Sequence, residues 1–455
     1  IWVKDDSGNW KQSSNSPTDK TASFKFLMPG KYTAKSSYEV YYPGKNGSQD
    51  KVTISNKQKQ TEPNTTAHFG ASGDCGIAKA TRNATSHEFE FALDHKAAYL
   101  VFKPYTSNDV LKYCYLTKIE VTSDNDITDT YTLDPTADTG AGALTGTGNG
   151  KQIVLETKGS GTYANGFPLT NTSANLTTNG AYMIIKPGTH TLKIRYWVRD
   201  KDTGIEGTIT KLIPSHTFAK NEYVNMEADL QIKNYDGDKY YMWDAQQQYW
   251  YGYEWTKHLP GNTGQPTLAG KISSNYAHNN SDANHRYYHE ISSPPFNATQ
   301  SCAALPNINE MSWYAMYGDP RWDGDELWTT MGHLYKGGMW FKKKSVLQAE
   351  GHYNTEKSAD GVTDIRTTYK SYLNNKSSII TSGPPSAADA GNYFYLPALG
   401  YYLAGELTHI GDQCLYWSSN SLSKGSALNL YFLRNQVIVG GGGSYGGYRV
   451  EPSFQ

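Results

Sequence analysis

The sequence predicts a mainly β protein in which β-sandwich domains precede a mixed α+β region. Glycine numbers 43 and tyrosine 36 in a chain of 455 residues, a composition that favours strands and turns over helices. Through residues 1–235, short runs of alternating apolar and polar side chains recur with turn signals between them, the pattern of sandwiches built from short strands. Near 235 the texture changes, because NYDGDKYYMWDAQQQYWYGYEW (234–255) has few aliphatic residues and many rings. A chain of this length exceeds what one core organises, and the domains expected are 1–85, 86–235 and 236–455.

The clearest strand is TLKIRYWVRD (191–200), with Leu192, Ile194, Tyr196 and Val198 on one face and Lys193, Arg195, Trp197 and Arg199 on the other. Pro187-Gly188 separates it from AYMIIK (181–186), a hairpin signal. Further strands are expected at FEFAL (89–93), AYLVF (98–102), TKIEV (117–121) and QIVLE (152–156), with the polar stretches 134–150 and 157–180 as loops. The opening segment SFKFLMPGKYTAKSSYEVYYPG (23–44) also alternates, yet 85 residues are few for a complete sandwich, so a domain lacking its first strand is expected there.

Residues 305–341 carry four of the eleven tryptophans, and such ring density is read as a recognition surface, with core filling as the competing account for each ring. Asn307 and Glu310 form a capping-box pair ahead of MSWYAM. A second helix is expected with Asp325 as its cap, with Leu327, Trp328, Met331, Leu334 and Tyr335 on one stripe, ending at Gly337-Gly338. Strands are expected at MWF (339–341), ALNLYF (427–432), QVIV (436–439) and YRVEP (448–452), and polar loops at 257–300 and 350–392. Gly440 to Gly443 and Gly446-Gly447 read as a mobile loop around Tyr445, the rim of a pocket.

Acids and bases nearly cancel at a net charge of −1, so no global field argues for nucleic acid or an anionic membrane as partner. Lys342-Lys343-Lys344 reads as a solvated turn. No run approaches the ~18–20 apolar residues of a membrane helix, and the strand-like opening IWV at Ile1 reads as a processed or truncated N-terminus. Cys75, Cys114, Cys302 and Cys414 show neither CxxC nor a Cys/His zinc spacing. Cys302 and Cys414 suit a disulfide outside the cytoplasm, and free buried thiols fit equally.

Two resemblances arise from particular segments. KYTAKSSYEVYYPG (31–44), HFGASGDCGIAKAT (68–81), FEFALDHKAAYLVFK (89–103) and MIIKPGTHTLKIRYWVRDKDTG (183–204), in that order, resemble the fimbrillin-like proteins of Bacteroidetes. CAALPNINEMSWYAMYGDPRW (302–322), LWTTMGHLYKGGMWFKKK (327–344), YLPALGYY, YWSSNS, ALNLYF and GYRV resemble a C-type-lectin-like domain of the formylglycine-generating-enzyme-like branch, which Bacteroidetes attach to tip fimbrillins. The first resemblance implies two transthyretin-like β-sandwiches and a precursor that is an outer-membrane lipoprotein, its only membrane association. It also implies proteolytic loss of an N-terminal strand and assembly with other fimbrial subunits by acceptance of a donor strand. With no tail beyond YRV to donate, the chain is expected at the fimbrium tip on the cell surface, adhering to a host or bacterial glycan or protein. The alternative is a surface glycan-capture or glycan-processing lipoprotein whose sandwiches are closed spacers, and a third reading has the last domain capping the fibre without binding anything.

No catalytic residue, cofactor or metal is expected. Formylglycine-generating enzymes bind copper through paired cysteines, and the flanks of Cys302 and Cys414 do not match such a motif. Asp319, Asp323, Asp325 and Glu326 near Trp322 and Trp328 suit a glycosidase in composition, but GDP and WDGDE read as turns. Calcium-dependent lectins use EPN- and WND-like ligand sets, whereas Glu451-Pro452-Ser453 and Trp417-Ser418-Ser419 lack the Asn or Asp. His285 and His289 stand four apart, in a segment read as a polar loop, and His333 as a core histidine on the second helix. The candidate ligand-binding residues are the rings of Trp322, Trp328, Tyr416, Trp417 and Tyr445, with Arg321 and Asp323 as polar partners for hydroxyls.

Overall fold

The computed structural model describes residues 1–19, 21–201, 204–257, 259, 264–451 and 454. The chain is mainly β and divides into two compact units, Ile1–Gln231 and Ile232–Gln455.

In the N-terminal unit the alternating runs become strands where a partner is present. TLKIRYWVR lies in Gly188–Arg199, between Tyr115–Ser123 and Glu206–Phe218, and Gln152–Glu156 extends the sheet beyond Tyr115–Ser123. A second sheet places Ala98–Tyr105 between Ala181–Ile185 and Tyr223–Asp229. Leu192, Ile194, Tyr196 and Val198 are buried, as are Leu100 and Phe102, and the Phe102 ring meets Tyr196 edge-on at 6.1 Å. Pro187-Gly188 therefore does not turn a hairpin: the strands before and after it belong to different sheets, so the turn carries the chain from one layer to the other.

A boundary at residue 85 does not follow the pairing either. Lys51–Ile54 pairs with Asp129–Asp134, and Lys57–Lys59 runs parallel to Gln152–Glu156. The second of these strands also closes the edge of Ala181–Ile185 with side chains. The buried Gln58 amide donates to Ile184 O at 2.7 Å and accepts from Ile184 N at 2.9 Å. Gln60 does the same for Gly180 O at 2.9 Å and Tyr182 N at 2.8 Å. Each side-chain amide thus imitates a peptide group at an edge that would otherwise leave buried donors and acceptors unmet.

In the C-terminal unit the helix Ile308–Tyr317 begins with the expected capping box, Asn307 accepting from Glu310 N and Glu310 from Asn307 N. Its buried Ile308, Met311 and Tyr314 join Leu428, Leu430, Val437 and Val439 in the main core. Those residues come from Ser426–Leu433 and Gln436–Gly443, which continue a sheet with Cys414–Ser423. Gly440 to Gly443 are therefore strand residues paired with Ser426–Asn429 rather than a loop, and only the turn beyond them carries Tyr445. Of YRVEP, Tyr448–Arg449 forms a strand.

The second expected helix is a β-hairpin. Arg321–Thr330 pairs antiparallel with His333–Lys342 across Met331-Gly332, whose φ values of 50° and 79° make a tight left-handed turn matched to strand twist. Asp325 caps nothing: it pairs with Lys336 at 3.5 Å. The apolar spacing at 327, 328, 331, 334 and 335 fits a helical stripe, but the chain reverses at 331–332. Trp328 then lies opposite Tyr335, their rings stacked at 5.3 Å. His333 opens the second strand, half-buried.

Replacing Gln58 with Leu keeps the side chain's approximate size but strands the Ile184 N–H and C=O. Urea unfolding of the variant should show a loss of about 2–5 kcal/mol for the N-terminal unit. A loss below the error of the measurement would mean that the amide is not closing that edge.

Candidate functional site

One sheet of the N-terminal unit has a sparse core. It runs in the order Trp10–Gln12, Trp2–Lys4, Ser37–Tyr42, Gly76–Arg82, Phe89–Glu90. Alternation sends Val3, Tyr38, Val40, Ala78 and Ala80 to one face, and these five are the only buried members of their cluster among the described residues. The side chains packed against them, including Ile1, Met28, Phe89, Phe91 and Leu93, are only partly buried. Phe24 remains 37% exposed.

Over this face lies a groove of ≈ 940 Å³. Its floor is Val3, Tyr38, Val40 and Ala80; Phe24, Phe26 and Met28 line it from one segment, and Phe89, Phe91 and Leu93 from another. Both lining segments keep strand alternation without completing a ladder. FEFAL pairs only through Phe89-Glu90, and SFKFLM forms no strand. On the outer side of SFKFLM, Ser14 N donates to Leu27 O at 2.9 Å, and the Asn15 amide bonds Leu27 N at 2.7 Å and Lys25 O at 3.0 Å. In an extended chain successive residues point their backbone groups to opposite sides. The N–H and C=O groups of Phe24, Phe26 and Met28 are thus turned the other way, and those of Phe91 and Leu93 are also free; none has a hydrogen-bond partner among the described residues.

Asp6 holds the end of the groove where Tyr38 stands. Its carboxylate accepts from the Tyr38 hydroxyl, from Thr33 N at 2.8 Å and from Ala34 N at 3.2 Å. The Tyr38 hydroxyl and the Thr33 amide hold the acid below the ordinary carboxylate value, at about 2.

The candidate ligand-binding residues of the C-terminal unit do not form one surface. Trp328, Tyr416 and Trp417 are buried core residues, each with its polar tip committed to the backbone. Trp328 Nε1 donates to Gly337 O at 2.9 Å, Trp417 Nε1 to Tyr241 O at 2.8 Å, and Tyr416 Oη to Pro397 O at 3.0 Å. Asp323 is buried and accepts from Trp340 Nε1 at 3.2 Å. Arg321 donates to Asp319 at 2.8 Å, and Arg434 stands over the half-buried Trp322 ring at 5.9 Å. Tyr445, 52% exposed, alone among the rings presents most of a face. The composition did not reveal these placements, because a buried tryptophan and a sugar-stacking one are the same residue type.

Cys302 and Cys414 do not form a disulfide: all four cysteines are free and buried, and these two sit in different clusters of the unit. Burial pushes both thiols up to about 12, away from the thiolate a metal would need. Trp417 of the WSS segment is core, and Pro452 and Ser453 of the EPS segment lie outside the described residues.

Compared with known proteins, the chain matches no family profile and no curated protein. Among solved structures it is similar to a candidate cell adhesion protein of Bacteroides ovatus, at 15% identity over 49% of this chain and 70% of that one, with a TM-score of 0.27. A candidate cell adhesion protein of Bacteroides uniformis is 15% identical over 50% of this chain and 81% of that one, TM-score 0.29. One of Bacteroides fragilis is 12% identical over 51% and 78%, TM-score 0.27. At these TM-scores the likenesses carry no argument about this chain.

A carboxylate with a depressed folded-state pKa adds stability above its unfolded pKa and loses it as pH falls through the folded value. Lowering pH from about 4 to about 2 should therefore lower the melting temperature of the N-terminal unit more in the wild type than in Asp6→Asn, which lacks this proton linkage. Equal pH dependence in the two would mean that Asp6 does not clamp the groove.

Proposed function

We propose that this chain is a subunit of a cell-surface fimbria which accepts a strand from a neighbouring subunit in the groove of its N-terminal unit, and that its C-terminal unit mediates adhesion. The observation that carries the reading is the conjunction of an uncovered apolar sheet face with extended flanks whose backbone groups lack partners. An inserted strand would fill the groove with alternate side chains and satisfy those groups in a ladder. The alternative, a glycan-capture lipoprotein with closed spacer sandwiches, calls for a completed core at this position, and the groove argues against it.

Position at the fibre tip and passage through a lipoprotein precursor at the outer membrane rest on the fimbrillin-like and lectin-like resemblances of the sequence. Tyr448–Arg449 is paired inside the C-terminal unit with Tyr240–Tyr241 and with Cys414–Ser423, so this strand is not available for donation. No catalytic role is assigned: the acids of the 319–326 segment that invited one include Asp319, paired with Arg321, Asp323, bound to Trp340, and Asp325, paired with Lys336.

Peptides with alternating apolar residues, taken from the C-terminal strands of stalk fimbrillins, provide the test. At about a hundredfold excess over Kd a strand that binds only the folded state adds about 2.7 kcal/mol, which should raise the melting temperature of the N-terminal unit by roughly 5–10 °C. No rise with any peptide of the panel would overturn the acceptor role.

A further inference from the structure

A second cavity, of ≈ 270 Å³, opens in the C-terminal unit between Gln246 and the segment 280–300. From its geometry we infer that it is a binding subsite for a single neutral sugar residue. The inference rests on the reading of this unit as the adhesive one and supplies the site that the tryptophan-rich segment does not.

The pocket is built on buried anchors. Arg286, 3% exposed, grips both carboxylate oxygens of Asp282 at 2.7 and 3.1 Å and donates to Asn275 O at 2.9 Å. Its guanidinium lies over the Tyr253 ring at 4.9 Å, which ties the 279–290 segment to the 246–253 segment. On the other side Asp244, 0% exposed, accepts from His289 at 2.9 Å, Thr299 N at 2.9 Å, Gln300 N at 2.8 Å and Cys302 N at 3.1 Å. The walls are thus fixed before any ligand arrives, which reduces the ordering cost of binding.

The lining specifies the ligand's chemistry. Its charges are already compensated: Asp282 by Arg286, and Glu290 by Lys424 at 3.0 Å. No group of three or more His, Cys, Asp and Glu among the described residues is disposed to hold a metal ion. Neither an ion nor an apolar ligand is called for. The remaining lining groups are the amides of Gln246, Asn280 and Gln300, the His285 imidazole, and the Tyr287 and Tyr288 rings, whose centroids are 4.5 Å apart. Gln300 Oε1 is buried without a partner. Paired carboxylates keep spare lone pairs, amides both donate and accept, and phenol rings offer faces. A pyranose presents the complementary set, hydroxyls around its edge and C–H groups on its face.

Asn280 and Gln246 are exposed, so Asn280→Ala and Gln246→Ala leave the core intact. The probes are the methyl glycosides of glucose, galactose, mannose, fucose, N-acetylglucosamine and N-acetylgalactosamine, with N-acetylneuraminic acid as the charged control. NMR titration of the full chain should show binding of at least one neutral glycoside, weakened about fivefold by either variant, the weight of one hydrogen bond, and unchanged by Val362→Ala, at an exposed side chain outside the pocket. Binding that ignores both pocket variants, or preference for the charged sugar, would overturn the pocket assignment. So would binding of none of the glycosides. Attachment of chain-coated beads to bacterial and epithelial cells, scored in parallel, separates the two readings: attachment without glycoside binding removes the pocket alone, and loss of both removes the adhesive unit as well.

Discussion

Backbone hydrogen-bonding groups without partners, set along both flanks of an apolar sheet face, are the constraint on which this account depends. A buried peptide group must be bonded, and a strand edge bonded on one side only invites another chain. The N-terminal unit treats its edges in two ways. Along Ala181–Ile185 the edge is closed from within by the amides of Gln58 and Gln60. Along SFKFLM and FEFAL it is left open, with Asn15 closing only the outer side. The contrast gives the open edge its meaning, because the same unit closes an edge elsewhere with side chains.

The C-terminal unit spends its rings differently. Trp243, Trp250, Trp328 and Trp417 are fully buried, and the indole N–H groups of Trp243, Trp328 and Trp417 donate to backbone carbonyls, so these rings tie distant segments of a loop-rich domain together. Long polar loops need such anchors, since they contribute few aliphatic side chains to a core. Asp244 follows Trp243 in sequence: the indole ties into the core through Ser418 O, and the carboxylate holds His289 and Gln300, which line the polar pocket.

Much of the fold was legible in the sequence, for identifiable reasons. Clean alternation at TLKIRYWVRD, and the Asn307–Glu310 pair ahead of an apolar run, each rest on local geometry and placed a strand and a helix correctly. Alternation reports which face a residue takes but not which strand lies beside it. Hence Pro187-Gly188 resembled a hairpin turn although it joins two sheets, and a boundary at 85 missed strands that cross to later partners. Between 325 and 335 the apolar positions suit either period, and the left-handed turn at Met331-Gly332 decided for strands. The expectation of a missing strand rested on the shortness of residues 1–85, a boundary that the pairing of Lys51–Ile54 and Lys57–Lys59 with later strands does not follow. A groove between two alternating runs leaves no mark in either of them. Three of the candidate binding rings, Trp328, Tyr416 and Trp417, lie in the core for a related reason: residue type records the capacity to stack on a sugar, whereas burial decides whether the face is available.

Amide hydrogen exchange along the groove tests the central claim most directly. In the free chain the amides of Phe24, Phe26, Met28, Phe91 and Leu93 should exchange freely, and those of Val40 and Ala80 in the paired strands should be protected. Addition of a fitting donor peptide should slow exchange at these flanking amides and leave the C-terminal unit unchanged. Protection of the flanking amides already present in the free chain would mean that the ladder is closed from within, and that this protein accepts no strand there.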